Sequence, residues 1–405
     1  MRKQLVVVLA LAAAWPASAA AQSTRAEVLE RQRAEKATAL QPYKPRKLER
    51  LMLRVESNNP LRRISPYNGP FVEYGYPHKP VGSGVGFGGG FRHDLFNRRA
   101  RVELEAGITF KNYQLVRADF STPYLFDDRL ELGLEATYHH HPQEDYYGLG
   151  TGSPVDDRVN YLFDAREFQG RAIVRPAPWL EAGARVGRLD PSIDEGTDSN
   201  YRSIEEVFTD ASAPGLLFQP DFTYGEMFGA IDYRDEPGNA RDGGLYQLIW
   251  RRYSDGSANR YGFQRLDATV QQFFPIFDKK RVFAFQWHLI ASSEDTGQEV
   301  PFYFKPTLGG SHSVRSLPDL RLRDDNIMYL NFEYRWEAFS ILDMALFSDW
   351  GKVAAEVGDL GLSDMKHAYG IGFRVSTAKE VLMRLDIAGG GGEGIQYLFK
   401  FSKAF

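Results

Sequence analysis

Four stretches of the chain hold residue types able to do chemistry. His139, His140 and His141 run together with Glu144 and Asp145 close behind, a donor set that suits Zn²⁺ or Ni²⁺. Consecutive strand residues point to opposite faces, so at most His139 and His141 share one, and the polar start of a loop is the simpler reading. Ser311 and Ser313 flank His312. Sequence neighbours cannot form a nucleophile–base pair without a third, distant group. Gly84, Gly86 and Gly89 in VGSGVGFGGGF match G-x-G-x-x-G. A phosphate loop needs a helix N-terminus after it, and RHDLFNRR reads instead as a charged turn before another strand. Glycines at alternate positions mark a bent or closely approached strand, and Gly389 to Gly392 read as a hairpin loop. These stretches imply no catalytic residue and no metal, nucleotide or redox cofactor.

The fourth stretch is TLGGSHSVRSLPDLRLRDDN, Thr307 to Asn326, with glycines at its start and then many arginines and aspartates. On a soluble protein such a loop is merely solvated. Folded into a lumen, its arginine would meet a strand carboxylate, and a bidentate pair is stronger where the dielectric is lower. LFSDWGKV, downstream, offers Asp349 close to Gly351.

These stretches must be held by something, and composition narrows what. The chain has 405 residues, 14% aromatic and 25% charged, with 38 glycines, no cysteine and a formal net charge of -4. The absence of cysteine excludes disulfides, thiolate metal sites and a thiol nucleophile. The near-balanced charge gives no reason to expect nucleic acid as a partner. Residues 1–21 open with Arg2 and Lys3, continue in the apolar run LVVVLALAAAW and end in small residues, the order of a secretory signal peptide. Residues 22–69 read as a short helical periplasmic segment, carried by STRAEVLERQRAEKATAL and KLERLMLRVE, followed by a turn-rich linker.

From about residue 70 the period changes to two. In MYLNFEYRW, Met328, Leu330, Phe332, Tyr334 and Trp336 share one face, and Asn331, Glu333 and Arg335 the other. VLMRLDI sets Met383, Leu385 and Ile387 against Arg384 and Asp386. Strands are expected near 71–76, 83–93, 100–110, 113–121, 129–140, 160–175, 178–190, 220–234, 244–254, 260–274, 281–292, 326–338, 341–350, 366–376, 381–389 and 395–405. Their length suits a tilted bilayer crossing, and aromatics gather at their ends as an interfacial girdle requires. The connections between them alternate, with every long one (141–159, 191–219, 293–325 and 351–365) in one set. An even number of strands with short turns alternating with long loops indicates a transmembrane antiparallel β-barrel of about sixteen strands over 70–405, an all-β protein. Closure is the physical requirement, because an open edge in lipid leaves unpaired N–H and C=O groups that cost several kcal/mol each. Sixteen strands enclose a lumen wide enough for water, which suits inward charges.

At the long loop and the strand after it, the sequence resembles the bacterial surface antigen superfamily of outer-membrane barrels, the BamA/TamA class. Members carry a V-R-G-aromatic motif on a sixth external loop that enters the lumen. Here it matches Gly309, Gly310, Val314 and Arg315, with Ser316 and Leu317 in place of the glycine and the aromatic. The family's F-x-D-x-G-like partner stretch resembles Phe347 to Gly351. The resemblance implies an ion pair between Arg315 and Asp349 that locks the loop. DFSTPYLFDDRLELG and YYGLG resemble further family segments. Tyr397, Phe399, Phe401 and the terminal Phe405 resemble the C-terminal signal by which such barrels are recognised, with Lys403 interrupting the spacing.

That resemblance implies an outer-membrane location in a Gram-negative-type bacterium and a role assisting insertion or transport of polypeptide or lipid. It also implies contact with outer-membrane lipids and lipopolysaccharide, client outer-membrane proteins or periplasmic factors as partners, and a monomeric barrel. The family's periplasmic transport domains, of about 75 residues each, do not fit in residues 22–69. The short helical segment is free to dock at the periplasmic rim or to plug the lumen. A passive or gated pore, or a structural surface barrel, is the alternative reading.

Overall fold

A computed structural model of the chain describes residues 68–74, 82–123, 125–339, 341–376 and 381–401. The expected signal peptide, the helical segment before Asn68, and Phe405 lie outside the described residues.

Period-two patterning produces long strands. They are β1 (Gly69–Tyr74), β2 (Gly86–Leu95), β3 (Ala100–Thr109), β4 (Gln114–Ser121), β5 (Leu130–Tyr146), β6 (Val159–Ala177), β7 (Leu180–Glu195), β8 (Phe222–Asp232), β9 (Gly243–Asp255), β10 (Phe263–Ile276) and β11 (Arg281–Glu294). Two-residue strands β12 (Thr307–Leu308) and β13 (Leu322–Arg323) follow, then β14 (Asn326–Phe339), β15 (Leu342–Ala354), β16 (Lys366–Ser376), β17 (Val381–Gly389) and β18 (Gln396–Phe401). All but β12 and β13 form one sixteen-stranded sheet in which every neighbour is the next such strand in sequence. Every pairing is antiparallel. About sixteen strands were expected, and the sheet formed by the described residues has sixteen. The boundaries that move most are the ends of β5, β7 and β15, which run on to Tyr146, Glu195 and Ala354; in β5 a bulge between His141 and Glu144 keeps the strand paired with β6.

The faces of this sheet are inverted relative to a soluble protein. Phe332 is 47% exposed while the next residue, Glu333, is 2% exposed. Leu104, Val116, Leu134, Phe168, Met227 and Leu346 face out, while Glu105, Asp119, Glu226, Asp349 and Asp386 are buried within. This is the wall of a barrel with lipid outside and a polar lumen inside. Strongly exposed aromatics sit at strand ends, including Phe96, Phe110, Phe126 and Trp179. Three short turns repeat one device, with three consecutive residues at positive φ: Phe96, Asn97 and Arg98; Phe126, Asp127 and Asp128; Phe277, Asp278 and Lys279.

β1 and β18 form the two edges of the described sheet, each with six described residues, Gly69–Tyr74 and Gln396–Phe401. Among the described residues no pairing joins β1 to β18.

Candidate functional site: a loop anchored in the lumen

The site begins with the loop between β11 and β14. Its arms are pinned by the β12–β13 pair, Thr307 opposite Arg323 and Leu308 opposite Leu322. At the apex Gly309 and Gly310 adopt φ values of 134° and 75°. Any side chain there would be strained, and a Cβ on Gly309 would come within 2.1 Å of the Pro318 carbonyl oxygen. The turn is closed by local hydrogen bonds. The Gly309 N–H donates to Ser313 Oγ at 2.8 Å, that hydroxyl donates to the Gly309 carbonyl at 3.0 Å, and the Gly310 N–H donates to the Leu317 carbonyl at 2.9 Å. Arg315 therefore leaves the turn aimed at the barrel wall.

Register across β14, β15, β16 and β17 builds what it meets. Asn331 stands opposite Asp349, Asp349 opposite Ala368, Phe347 opposite Gly370, and Gly372 opposite Asp386. Ala345, Ala368 and Ala388 of these strands are buried. The Arg315 guanidinium forks onto Asp349, Nε to Oδ2 at 2.7 Å and Nη2 to Oδ1 at 2.6 Å. Its own backbone N–H donates to the same carboxylate at 3.1 Å. Nη1 donates to Glu333 Oε1 at 2.6 Å, and the guanidinium carbon stands 3.5 Å from the centre of the Phe347 ring. Asn331 Nδ2 joins loop to wall, donating to the Ser313 carbonyl at 2.7 Å and to Asp349 Oδ1 at 2.8 Å.

The surrounding charges form a network. Glu333 also accepts from Arg335 at 2.6 Å and Arg374 at 2.8 Å, while Arg384 Nε donates to Asp386 at 2.5 Å. Arg315, Arg374 and Arg384 are among the largest fully buried side chains. Burial alone would lower the pKa of Arg315, but the carboxylates of Asp349 and Glu333 outweigh it and raise the pKa. The loop cation is thus permanently charged, and its hydrogen bonds are of the strong, charge-assisted kind.

Apolar packing completes the anchor. Val314 and Leu317 are buried in a cluster with Leu308, Leu322, Ile327, Tyr329, Val353 and Ala368. A Cβ on Gly351 would lie 2.7 Å from Val314 and 2.9 Å from Leu308, so glycine at 351 is what lets the loop settle on β15. The two departures from the family motif are accommodated: Ser316 Oγ donates to the His367 carbonyl at 2.8 Å, and Leu317 fills the cluster.

The other sequence candidates are not brought together. His139 and His141 line the lumen with ring centres 5.6 Å apart, and His141 Nδ1 is bound to Glu144 Oε1 at 2.7 Å. His140 instead pairs with Asp164 at 2.6 Å. Among the described residues no group of three such side chains is placed to hold a metal ion. His312 lies against Lys400, its Nε2 2.7 Å from the ammonium, and Ser313 is occupied with Gly309. Gly84 lies just before β2 with a positive φ of 77°, while Gly86 and Gly89 lie in β2, where a Cβ on Gly89 would be 2.8 Å from the Phe71 carbonyl oxygen. Tyr397 and Phe399 face outward on β18, which includes the backbone of Phe401.

Residues that sequence reasoning did not assign to the site are Glu333, Arg335, Arg374, Arg384 and Asp386 on the wall, and Arg321 and Arg323 on the loop. The available signal was a charge at an inward position of an otherwise apolar strand. Arg323 Nη1 donates to Tyr161 Oη at 3.0 Å and to the Phe302 carbonyl at 2.9 Å. Elsewhere the lumen wall holds a cavity of about 450 Å³ whose lining includes Arg117, Glu135, Arg171, Arg185, Glu226 and Arg251.

A sixteen-stranded, inside-out sheet with a long loop fastened to its luminal wall defines an outer-membrane barrel with an internal loop anchor. The chain matches the Omp85 superfamily domain over residues 96–403 and belongs to that superfamily. Among solved structures it is similar to BamA from Haemophilus ducreyi lacking POTRA domains 1-3, at 14% identity and a TM-score of 0.57, over 83% of this chain and 69% of that one. It is also similar to CdiB from Acinetobacter baumannii, at 13% identity and a TM-score of 0.49, over 83% of this chain and 57% of that one. Among curated proteins no sequence matches it.

Proposed function

We propose that the protein assists insertion or transport of polypeptide or lipid at the outer membrane, and that the seam between β1 and β18 is the working part. Membership of the superfamily supports the general role. The observation that carries the seam is that β1 is followed in the sequence by Pro77 and Pro80, which have no N–H to give a ladder, and that no pairing joins β1 to β18 among the described residues. In lipid each unpaired backbone group costs several kcal/mol, so a weakly paired seam is a place where an incoming strand lowers the free energy by pairing. Client outer-membrane proteins, outer-membrane lipids and lipopolysaccharide are the partners this reading entails, acting on a monomeric barrel, with periplasmic factors delivering the clients.

The chain lacks cysteine, so single thiols placed at Val72 in β1 and Tyr397 in β18 can be bridged by a short bifunctional reagent. The bridged protein in liposomes should lose its acceleration of client-barrel assembly, and reversing the bridge should restore it. Assembly at the parental rate with the seam bridged would refute the seam as the working part. A passive pore predicts instead steady single-channel conductance, increased by deleting the loop around Arg315. The buried packing of that loop in the lumen favours the first reading.

A further inference from the structure

Residues 312–321 of the long loop touch β18 and the β17–β18 turn on one side and lie beside Gly82, just before β2, on the other. On the β18 side, His312 meets Lys400 of β18. Arg321 Nε donates to Glu393 Oε1 at 2.8 Å in the turn that joins β17 to β18. A Cβ on Gly391 of the same turn would lie 2.5 Å from Ser316 Oγ and 3.2 Å from Leu317. On the β1 side, Gly82 belongs to the connection between β1 and β2. A Cβ there would lie 3.6 Å from Asp319 Cβ and 3.9 Å from Leu320 Cδ1, in ordinary contact. Lys111 Nζ donates to the Gly82 carbonyl at 2.9 Å, fixing that connection to the next turn of the rim.

Asp319 and Arg321 are two residues apart, so their Cα atoms are separated by no more than about 7 Å. Gly82 and the β17–β18 turn therefore lie beside one short piece of chain. Arg321 is also held from behind. Nη1 donates to Ser153 Oγ at 2.9 Å, Nη2 to the Ser153 carbonyl at 2.7 Å, and the guanidinium lies 4.8 Å from the centre of the Tyr147 ring. These contacts belong to the β5–β6 loop, which is remote in the sheet from either edge. The Arg321–Glu393 pair is almost wholly enclosed, with side chains 4% and 11% exposed. Separating a desolvated pair leaves each partner buried without its counter-charge, which is costly.

We propose that Asp319–Arg321 staples the seam at its long-loop rim, with Arg321 as the positioning residue that holds the β17–β18 turn against the β1–β2 connection through Glu393. This inference rests on the seam being the working part. The staple sets how readily the seam parts: opening it requires Glu393 to leave Arg321, while the Arg315 anchor, which contacts β14, β15 and β17, can stay in place.

The test uses the full chain in proteoliposomes, with spin labels on cysteines at positions 72 and 397. Glu393→Gln keeps size and removes charge. It should raise the population of long label-to-label distances about tenfold, equivalent to about 1.4 kcal/mol of lost closure. Glu393→Asp should resemble the parent, and both should retain the parental heat-modifiability shift of a folded barrel. If Glu393→Gln does not fold, Arg321→Lys, which loses the fork, is read against the same criterion. A distance distribution that superimposes on the parent's overturns the staple. Broadened distances with unchanged client assembly would instead leave the staple standing and overturn the proposed function, so the two failures are distinct.

Discussion

Arg315→Ala is the most informative perturbation of the loop anchor. In the parent the guanidinium serves Asp349 through two hydrogen bonds and Glu333 through one. Without it Glu333 keeps Arg335 and Arg374, so its charge stays compensated. Asp349 keeps only Asn331 Nδ2 and the backbone N–H of residue 315. One fully buried carboxylate is therefore left without a counter-charge, and breaking such a pair from one side costs about 3–5 kcal/mol. That penalty acts on the docked loop, because an undocked loop lets water reach Asp349. At about 1.4 kcal/mol per decade, the loop-opening equilibrium should rise by roughly two to three and a half orders of magnitude. Amide hydrogen exchange at Gly310 and Leu317 reports it, since their N–H groups donate to Leu317 and Val314 carbonyls within the turn. Arg315→Lys, which keeps the charge and loses the fork, should fall between the two. In the double variant Arg315→Ala with Asp349→Ala the orphaned charge is gone, so its protection should exceed that of Arg315→Ala alone. Protection within tenfold of the parent in Arg315→Ala would refute the reasoning.

Further expectations follow from the same geometry. Gly351→Ala drives a methyl group into Val314 and Leu308 and should cost about 1–3 kcal/mol of loop docking, visible as faster exchange at Leu317 with β15 still protected. Leu317→Ala empties part of a closed cluster and should cost about 2–5 kcal/mol by the same readout, whereas Ser316→Gly loses one hydrogen bond and about 1 kcal/mol. For the turn 233–242, partial burial pushes the Asp235 carboxyl up, but the Arg241 N–H, Lys279, and the N–H groups of Asp242 and Glu236 outweigh it and hold its pKa below the usual range. The stabilising form is the ionised one. The turn should keep its protection above the ordinary carboxylate range and lose it as pH falls through the lowered value, and Asp235→Asn should abolish that pH step.

The strands of this barrel were legible because alternation is local. A residue's face is set by its neighbours one position away, so MYLNFEYRW and VLMRLDI declare which residues face lipid and which face the lumen. Loop lengths added the sidedness, because short turns and long loops alternate along the chain. The far ends of β5, β7 and β15 were not legible in this way; the bulge that carries β5 to Tyr146 depends on pairing with β6, and His141 and Glu144 look like the start of a loop when read alone.

The resemblance singled out Gly309, Gly310, Val314, Arg315, Asp349 and Gly351 in the sequence, but not the other side chains that Arg315 meets. Glu333 and Asp386 are 18 and 71 residues from Arg315, and Ser153 is 168 residues from Arg321. Which inward charges meet depends on register across β14 to β17. The chain by itself determined an all-β barrel, its inverted faces and the charge carried on its long loop, since these follow from short-range pattern. Only the tertiary structure decided where that charge is neutralised and that the same loop reaches β18 and the β17–β18 turn, because strand register and loop entry join residues that no local pattern links.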